Sequence, residues 1–516
     1  MLLTQALHTA AQLYPEHPAT LCHGRERTYR QALQRVARLA AGLRNHGLEE
    51  GGRIAILALN SDRYQEGLLA CWWAGGVVNP VNIRWSAGEI TYSLEDSGAR
   101  VLIVDDQHLP LLSQILASLR HPPLLVYAGE GATPSGMLGF EALIAESAPI
   151  ADAGAGGESL AVILYTGGTT GRPKGVMLSH DNLLSGVLMR LADLPPVAGR
   201  VGLSVAPLFH IAGLASAYAR ILTGASNIYL PLFDALQVLE TVQRERANEI
   251  LLVPTMLQAL LDHPSFAEFD LSSLERVLYG ASPISAALLD RAVAGLPSAG
   301  FVHLYGLTEN GGQISANPPC NHKADGGLSR SVGRPTLGQW VRIVDEQGHE
   351  VPRNTVGELI ARGPSVMQGY WNRPEDTAAT LRDGWLYTGD AAYMDDSGHL
   401  FVVDRIKDMV ISGGENIYSA EVENVLARHP AVALCAVIGV PHDAWGEAVH
   451  AVVTLKPGRQ TDAEGLIRHC REALAAYKCP KSIEFRESLP LSGAGKILKR
   501  DLREPYWQSV RQGASA

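Results

Sequence analysis

Lysine is scarce in this chain. Eight of its 43 basic side chains are lysine, and the first, Lys174, comes about a third of the way along 516 residues. A codon bias toward arginine accounts for the ratio but not for the placement. Six of the eight (Lys407, Lys456, Lys478, Lys481, Lys496, Lys499) fall in the last 113 residues. Cysteine is also sparse. Cys22, Cys71, Cys320, Cys435, Cys470 and Cys479 stand far apart without a CxxC pair, which argues against a zinc site or disulfide framework and for a reducing, cytoplasmic setting. No basic segment precedes Arg25, so the N-terminus reads as a soluble helix and not a signal peptide. The longest apolar stretch, GLLACWWAGGVV, is short and interrupted by glycine, so no membrane span is expected. A basic excess is missing too. The net charge of −10 argues against a nucleic-acid partner but leaves room for a small anionic ligand at a locally positive site.

What is present is globular: 46% hydrophobic and 19% charged residues, on a chain long enough for two or more domains. TYRQALQRVARLAAGLRNHGL, from Thr28, has helical spacing and stops at Gly47. RIAILAL and RVLIVD read as buried strands, with YQEGLLACWWAGGVVNPVN as helix, turn and strand between them. This alternation predicts an α/β fold with mostly parallel strands. ADAGAGGES, 151–159, has the composition of a flexible linker. Five apolar runs follow, each with a polar or Gly-rich tip: AVILYTGG, VGLSVAPLFH, EILLVPT, RVLYGAS and FVHLYGLTE. Ligands gather beyond the carboxyl ends of parallel strands, so these tips are candidate site walls. A β-rich stretch precedes Asp404, and a small α+β domain is expected after it.

The strongest chemical signal is YTGGTTGRPKG. Gly167, Gly168, Gly171 and Gly175 let backbone N–H groups converge on an anion, while Thr166, Thr169, Thr170 and Lys174 add hydroxyls and charge. It is a polyphosphate cradle, but not a Walker A loop, because Gly175 follows the lysine. At the tip of FVHLYG, Tyr305 can stack on a purine, Thr308 can bond a phosphate, and Glu309 is a hard oxygen ligand suited to magnesium. Asp390, after the turn in GWLYTGD, can accept from two ribose hydroxyls.

With these motifs the sequence resembles the adenylate-forming enzymes: acyl-CoA synthetases, luciferase and peptide-synthetase adenylation domains. Five motifs stand in that family's order: YTGGTTGRPKG, YGLTE, GWLYTGD, DRIKD and LPLSGAGK. The wording around SGGENIYSAEVE is most like bacterial fatty-acyl or feruloyl-type CoA ligases. The resemblance implies a large N-terminal domain, 1–403, of parallel-sheet α/β subdomains plus a β-rich subdomain. It also implies a small mobile α+β lid, 404–516. Tyr305, Gly306, Thr308 and Glu309 are then expected at ATP and Mg2+, Gly280, Ala281 and Ser282 between adenine and acyl group, and Arg405 near the nucleotide. His210 in PLFH is expected near the substrate carboxylate, Lys407 at the hinge, and Gly413 and Gly414 in SGGEN at the pantetheine arm. Lys496 is expected to neutralise charge on the α-phosphate.

The implied reaction has two steps. A carboxylate attacks MgATP to give acyl-adenylate and pyrophosphate, and after domain rotation coenzyme A gives acyl-CoA and AMP. The expected partners are a small carboxylic acid and coenzyme A, with a homodimer left open. Phe209, Ile211, Gly213, Gly280, Gly306, Gly311 and Gly312 are candidate pocket residues. So many glycines imply room for a fatty chain or a flat aryl group, and a medium- or long-chain fatty acid is preferred over an arylpropenoic (feruloyl or coumaroyl) or other aryl acid. Transfer to a carrier protein is the other alternative. In this chain Ser419 stands where the family usually has proline, an exchange expected to soften a turn, and Ala494-Gly495 stands where Ser-Gly is commoner.

Overall fold

Two large sheets and two smaller ones organise the chain. They are seen in a computed structural model that describes every residue except 167–171, 195–198, 323–326, 494 and 514–516. The nine-stranded sheet has at its centre the run Gly300–Tyr305, Arg276–Gly280, Glu249–Leu252, Val201–Ser204, Ser226–Tyr229 and Pro18–Cys22, all parallel. Antiparallel strands close both edges. In the eight-stranded sheet, Leu160–Thr166, Val77–Pro80, Arg53–Leu57, Val101–Val104 and Leu124–Tyr127 run parallel, and Lys174–Ser179 returns antiparallel beside Leu160–Thr166. The expected α/β class with mostly parallel strands is the observed one. So is the β-rich part, an antiparallel sheet holding Trp340–Val344, Gly357–Arg362, Trp385–Met394 and Leu400–Arg405. A smaller C-terminal domain is built on the long hairpin Val432–His442 and Gly446–Leu455.

The helices between the large sheets are held by apolar faces and satisfied polar ends. Tyr29–Asn45 starts at Thr28 in a capping box with Gln31, which pairs two backbone N–H groups that would otherwise lack partners. All twelve residues of Asp62–Trp73 are buried. Trp72 Nε1 donates to the Ala161 carbonyl at 2.9 Å, so the largest buried ring carries no unpaired donor. Buried Asp62 and Glu66 are matched by Arg25 at 2.9 Å and Arg35 at 2.6 Å.

The stretch 151–159 differs from its composition. It forms no regular element, yet it is tied down: Ala153 N–H donates to Trp73 O at 2.9 Å, Gly157 N–H to Met1 O at 2.9 Å, and Asp152 pairs with His8 at 2.9 Å. A Cβ at Gly156 would come within 2.4 Å of Leu2. Its glycines serve close packing, and the segment joins elements of one domain. Among the described residues no helix is long and apolar enough to cross a membrane, and all six cysteines are unpaired.

Candidate active site

Four neighbouring parallel strands end at Ser204, Leu252, Gly280 and Tyr305, so four of the five expected tips share one edge of one sheet. The fifth belongs to the other sheet. Its strand ends at Thr166, which is paired in register with Lys174 across the antiparallel hairpin. Gly167, Gly168, Thr169, Thr170 and Gly171, expected in the phosphate cradle, lie outside the described residues.

Tyr305, Asp390 and Arg405 form one unit. Tyr305 Oη donates to Asp390 Oδ2 at 2.6 Å, and Arg405 Nε lies 2.6 Å from Asp390 Oδ1. The β-rich sheet sets this geometry, because Asp390 and Arg405 are directly opposed on its antiparallel strands. Burial raises the Asp390 pKa, and Arg405 opposes that shift. Each carboxylate oxygen keeps a second acceptor position for a hydroxyl ligand.

Lys174 and Glu309 are linked through two residues that no motif flagged. The Lys174 ammonium bonds Asp376 and sits 5.2 Å from the centre of the Tyr370 ring, a cation–π placement. Tyr370 Oη donates to Glu309 Oε1 at 2.9 Å. Tyr370 reaches the site because Gly369–Tyr370 pairs with Lys174–Ser179 as an edge strand. Its only sequence trace is the aromatic pair Tyr370-Trp371 before NRPED. Among the described residues no cluster of three or more metal-ligating side chains occurs. One carboxylate at Glu309 fits magnesium that keeps waters and arrives on substrate phosphates, since that ion uses one or two protein carboxylates.

Lys496 faces this constellation from the C-terminal domain. Burial lowers its pKa to about 8, helped by the positive Arg405 and Lys407 and opposed by Asp390 and Glu309. His210, at the N-terminus of helix Ile211–Leu222, is driven down to about 3 by burial and then by Lys496, so it is neutral at ordinary pH. The segment bearing Lys496 docks through main-chain carbonyls. Thr255 Oγ1 donates to Gly495 O at 3.1 Å, and Arg84 Nη1 to Ser492 O at 3.3 Å.

At the Gly280 tip, Gly280 (φ +154°) and Ala281 (φ +65°) both lie in backbone regions that L side chains rarely adopt, which turns the chain sharply toward half-exposed Ser282. Thr308 and Glu309 lie in a single 3-10 turn ended by Gly311 at φ +68°. The expectation that the glycines open an acyl cavity is corrected here. A Cβ on Gly213 would lie 2.2 Å from Pro207 O, on Gly280 2.1 Å from Leu304 O, and on Gly306 2.5 Å from Gly312 O. Neighbouring backbone already fills the place of a Cβ at these three glycines, so they serve close packing and are not themselves a sign of acyl room. Gly213→Ala is therefore expected to lower unfolding stability by about 1–3 kcal/mol, as overpacking does. Denaturant unfolding measures it, and an altered acid preference at unchanged stability would contradict the correction.

Leu400–Arg405 still belongs to the β-rich sheet, and the chain crosses to the C-terminal sheet in a turn at 406–409. Lys407 is exposed in that turn. Gly413 (φ +61°) and Gly414 (φ +85°) make the two-residue turn between Val410–Ser412 and Glu415–Ile417, which requires positive φ twice. Ser419 does not soften its turn. Its N–H and Oγ–H both donate to Asp404, the hydroxyl at 2.7 Å, and Lys499 Nζ donates to Ser419 Oγ at 2.6 Å. Lys499 also pairs with Glu423 at 2.7 Å, and Lys478 with Glu421 at 2.8 Å, so both lysines have structural partners.

Comparison with known proteins follows the same outline. Residues 7–371 match the family model of the AMP-binding enzyme, and 421–496 match that of the AMP-binding enzyme C-terminal domain. The chain is 41% identical over 502 residues to a feruloyl-CoA synthase of Amycolatopsis sp, covering 96% of this chain and 97% of the relative. It is 38% identical over 515 residues to the fatty acid–acyl-carrier-protein ligase ScoC of Streptomyces coeruleorubidus, covering 98% and 96%. Among solved structures, the anthranilate CoA ligase AuaEII in complex with anthranoyl-AMP superposes with a TM-score of 0.91 at 28% identity, covering 98% of this chain and 97% of the other.

Proposed function

The chain belongs to the AMP-binding enzyme family and is an acid–thiol ligase that uses ATP and coenzyme A; from that premise we propose how its residues divide the work and which acid it takes. The observation that carries the proposal is the convergence of Lys496, from the C-terminal domain, on the site that holds Asp390, Arg405 and Glu309. Asp390 orients the ribose, and Tyr305, with its hydroxyl anchored to Asp390, lies against the base. Lys174 exchanges Asp376 for phosphate oxygens as the triphosphate arrives. Magnesium, when bound with ATP, spreads phosphate charge, and Glu309 is the residue that would hold it. Neutral His210 can sit beside the substrate carboxylate without forming a competing ion pair. Lys496 supplies a compact positive charge where the pentavalent α-phosphate becomes more negative.

The second step calls for the domain after 403 to turn about the 406–409 segment, withdrawing Lys496 and bringing the Gly413–Gly414 turn to the pantetheine arm. A cytoplasmic setting is part of this reading, carried by the sparse and widely spaced cysteines of the sequence. The acid is an apolar monocarboxylate, with medium- or long-chain fatty acids as the leading class. An arylpropenoic acid is the second reading. It is favoured by the likeness to a feruloyl-CoA synthase.

Carboxylate-dependent ATP–pyrophosphate exchange, followed by a CoA-dependent AMP-release screen across fatty, aryl and arylpropenoic acids, tests this. Absence of exchange across the panel would refute the assignment. Exchange without CoA-dependent AMP release would point to a carrier protein as acceptor. The Lys496 ammonium sets a further expectation. It is charged below pH of about 8 and loses its proton as pH rises through that value. The kcat/KM for adenylate formation should therefore fall on the alkaline side, since that parameter reports free-enzyme ionisations. A profile flat to pH of about 9.5, a window set by the unperturbed lysine value near 10.4, would exclude Lys496 as the controlling group.

A further inference from the structure

The amino ends of the strands whose carboxyl ends carry the candidate site hold a second charged cluster. Glu249, opening Glu249–Leu252, is shared by three guanidinium groups. Its Oε1 lies 3.4 Å from Arg220 Nη2 and 3.8 Å from Arg190 Nη2, and its Oε2 lies 3.4 Å from Arg276 Nη1. None closes to the roughly 2.7–2.9 Å of a charge-assisted bond. Arg200 joins them, with one nitrogen 2.8 Å from Glu275 at the protein exterior. Together they line a cavity of about 30 Å³.

Arg190 and Arg220 are buried, and Arg220 and half-buried Arg200 are incompletely satisfied. Arg190 and Arg220 are 7% and 5% exposed. Arg220 Nη1 donates to Ser204 Oγ at 2.8 Å and to Asn227 Oδ1 at 3.0 Å. Among the described residues, Arg220 Nε and Arg200 Nε and Nη1 have no partner. Gly202 makes room for this packing, because a Cβ there would meet Arg220 Nε at 1.8 Å. Burial, followed by its like-charged neighbours Arg220 and Arg276 against the pull of Glu249, lowers Arg190 to about 10. Burial alone would raise Glu249, but Arg220, Arg190 and Arg276 outweigh it and hold the carboxyl below its ordinary range. Among the described residues, Arg190 and Arg220 thus share the single buried carboxylate of Glu249, and Arg200 turns to Glu275 at the surface. The helix ends near Arg190 and Arg220 offset only a fraction of a charge each.

We propose that this cavity is a binding site for a small inorganic oxyanion of the phosphate class, held among Arg190, Arg200, Arg220 and Arg276, with Glu249 as the counter-charge that limits affinity. Planar guanidinium forks match the oxygens of such an ion better than a halide. The volume exceeds the roughly 10–15 Å³ that one water needs but admits no nucleotide. The site is separate from the ligase chemistry, so its failure would leave that assignment standing.

Equilibrium binding of inorganic phosphate by the full-length protein tests it, with chloride at equal ionic strength as the control. Saturable binding is expected in the wild type and in Lys174→Ala, which alters the candidate active site on the other large sheet. Arg200→Gln should weaken it about tenfold, the loss of one charge-assisted bond. Glu249→Gln should tighten it by removing the competing carboxylate. Lack of saturable phosphate binding overturns the proposal. So does binding that disappears in Lys174→Ala and survives Arg200→Gln, or chloride that saturates equally well. If Glu249→Gln does not fold, the Lys174 and Arg200 variants still decide.

Discussion

Lys496→Ala is expected to slow adenylate formation by about 10²–10³-fold, the range for losing one charge-stabilising group aimed at a transition state. The half-reaction from supplied acyl-adenylate and coenzyme A should keep most of its rate. The asymmetry follows from where the ammonium stands. Its pKa is shaped by Asp390, Arg405 and Glu309, the residues assigned to the nucleotide, so its charge acts where phosphate charge develops. Alanine leaves the docking bonds in place, because Thr255 and Arg84 hold the carbonyls of Gly495 and Ser492 and not the lysine side chain. Single-turnover measurement of each half-reaction checks it. Equal loss in both would mean that Lys496 acts on overall folding or docking and not on the first chemical step.

Lys407→Pro should do the reverse, slowing thioester formation at least about tenfold more than adenylation. Asp408 N–H donates to Arg405 O at 2.9 Å, so Arg405 to Asp408 form a tight turn with Lys407 as its third residue. Proline there fixes one dihedral and pushes the preceding residue out of the helical region. A turn that must change its dihedrals to swing a domain loses that freedom, whereas one half-reaction needs only a single domain arrangement. The exposed side chain of Lys407 itself is dispensable on this reading, so Lys407→Ala serves as the control. A thioester-forming rate unchanged by proline would move the pivot elsewhere.

Much of the site was legible because strand tips are local. Hydrophobic runs ending in Leu252, Gly280 and Tyr305 announce their own carboxyl ends, and the edge they share follows from parallel pairing. Tyr370 and Asp376 were not legible. They act through a two-residue edge strand and a following helix, nearly two hundred residues after Lys174, and no periodic pattern marks so short a pairing. The misread glycines share one cause. Composition shows a missing side chain but not whether a neighbour occupies the space, as Leu304 O does at Gly280 and Leu2 does at Gly156. Ser419 was misjudged for a related reason. Its value lies in an N–H that proline lacks, and only the fold shows Asp404 waiting to accept it.

The loop that carries Lys496 has a consequence for what evolution can alter there. Its two docking bonds end on carbonyl oxygens, which every residue type possesses, so most side-chain identities leave them intact. The restrictive requirement is subtraction. A Cβ at Gly493 would lie 2.5 Å from Asn82 Oδ1, and one at Gly495, already at φ +75°, 2.9 Å from Thr255 Oγ1. The seat is cut for the main chain at 493 and 495. A seat held by carbonyl bonds can be left and re-entered by exchanging those bonds for bonds to water, whichever residue types supply the carbonyls.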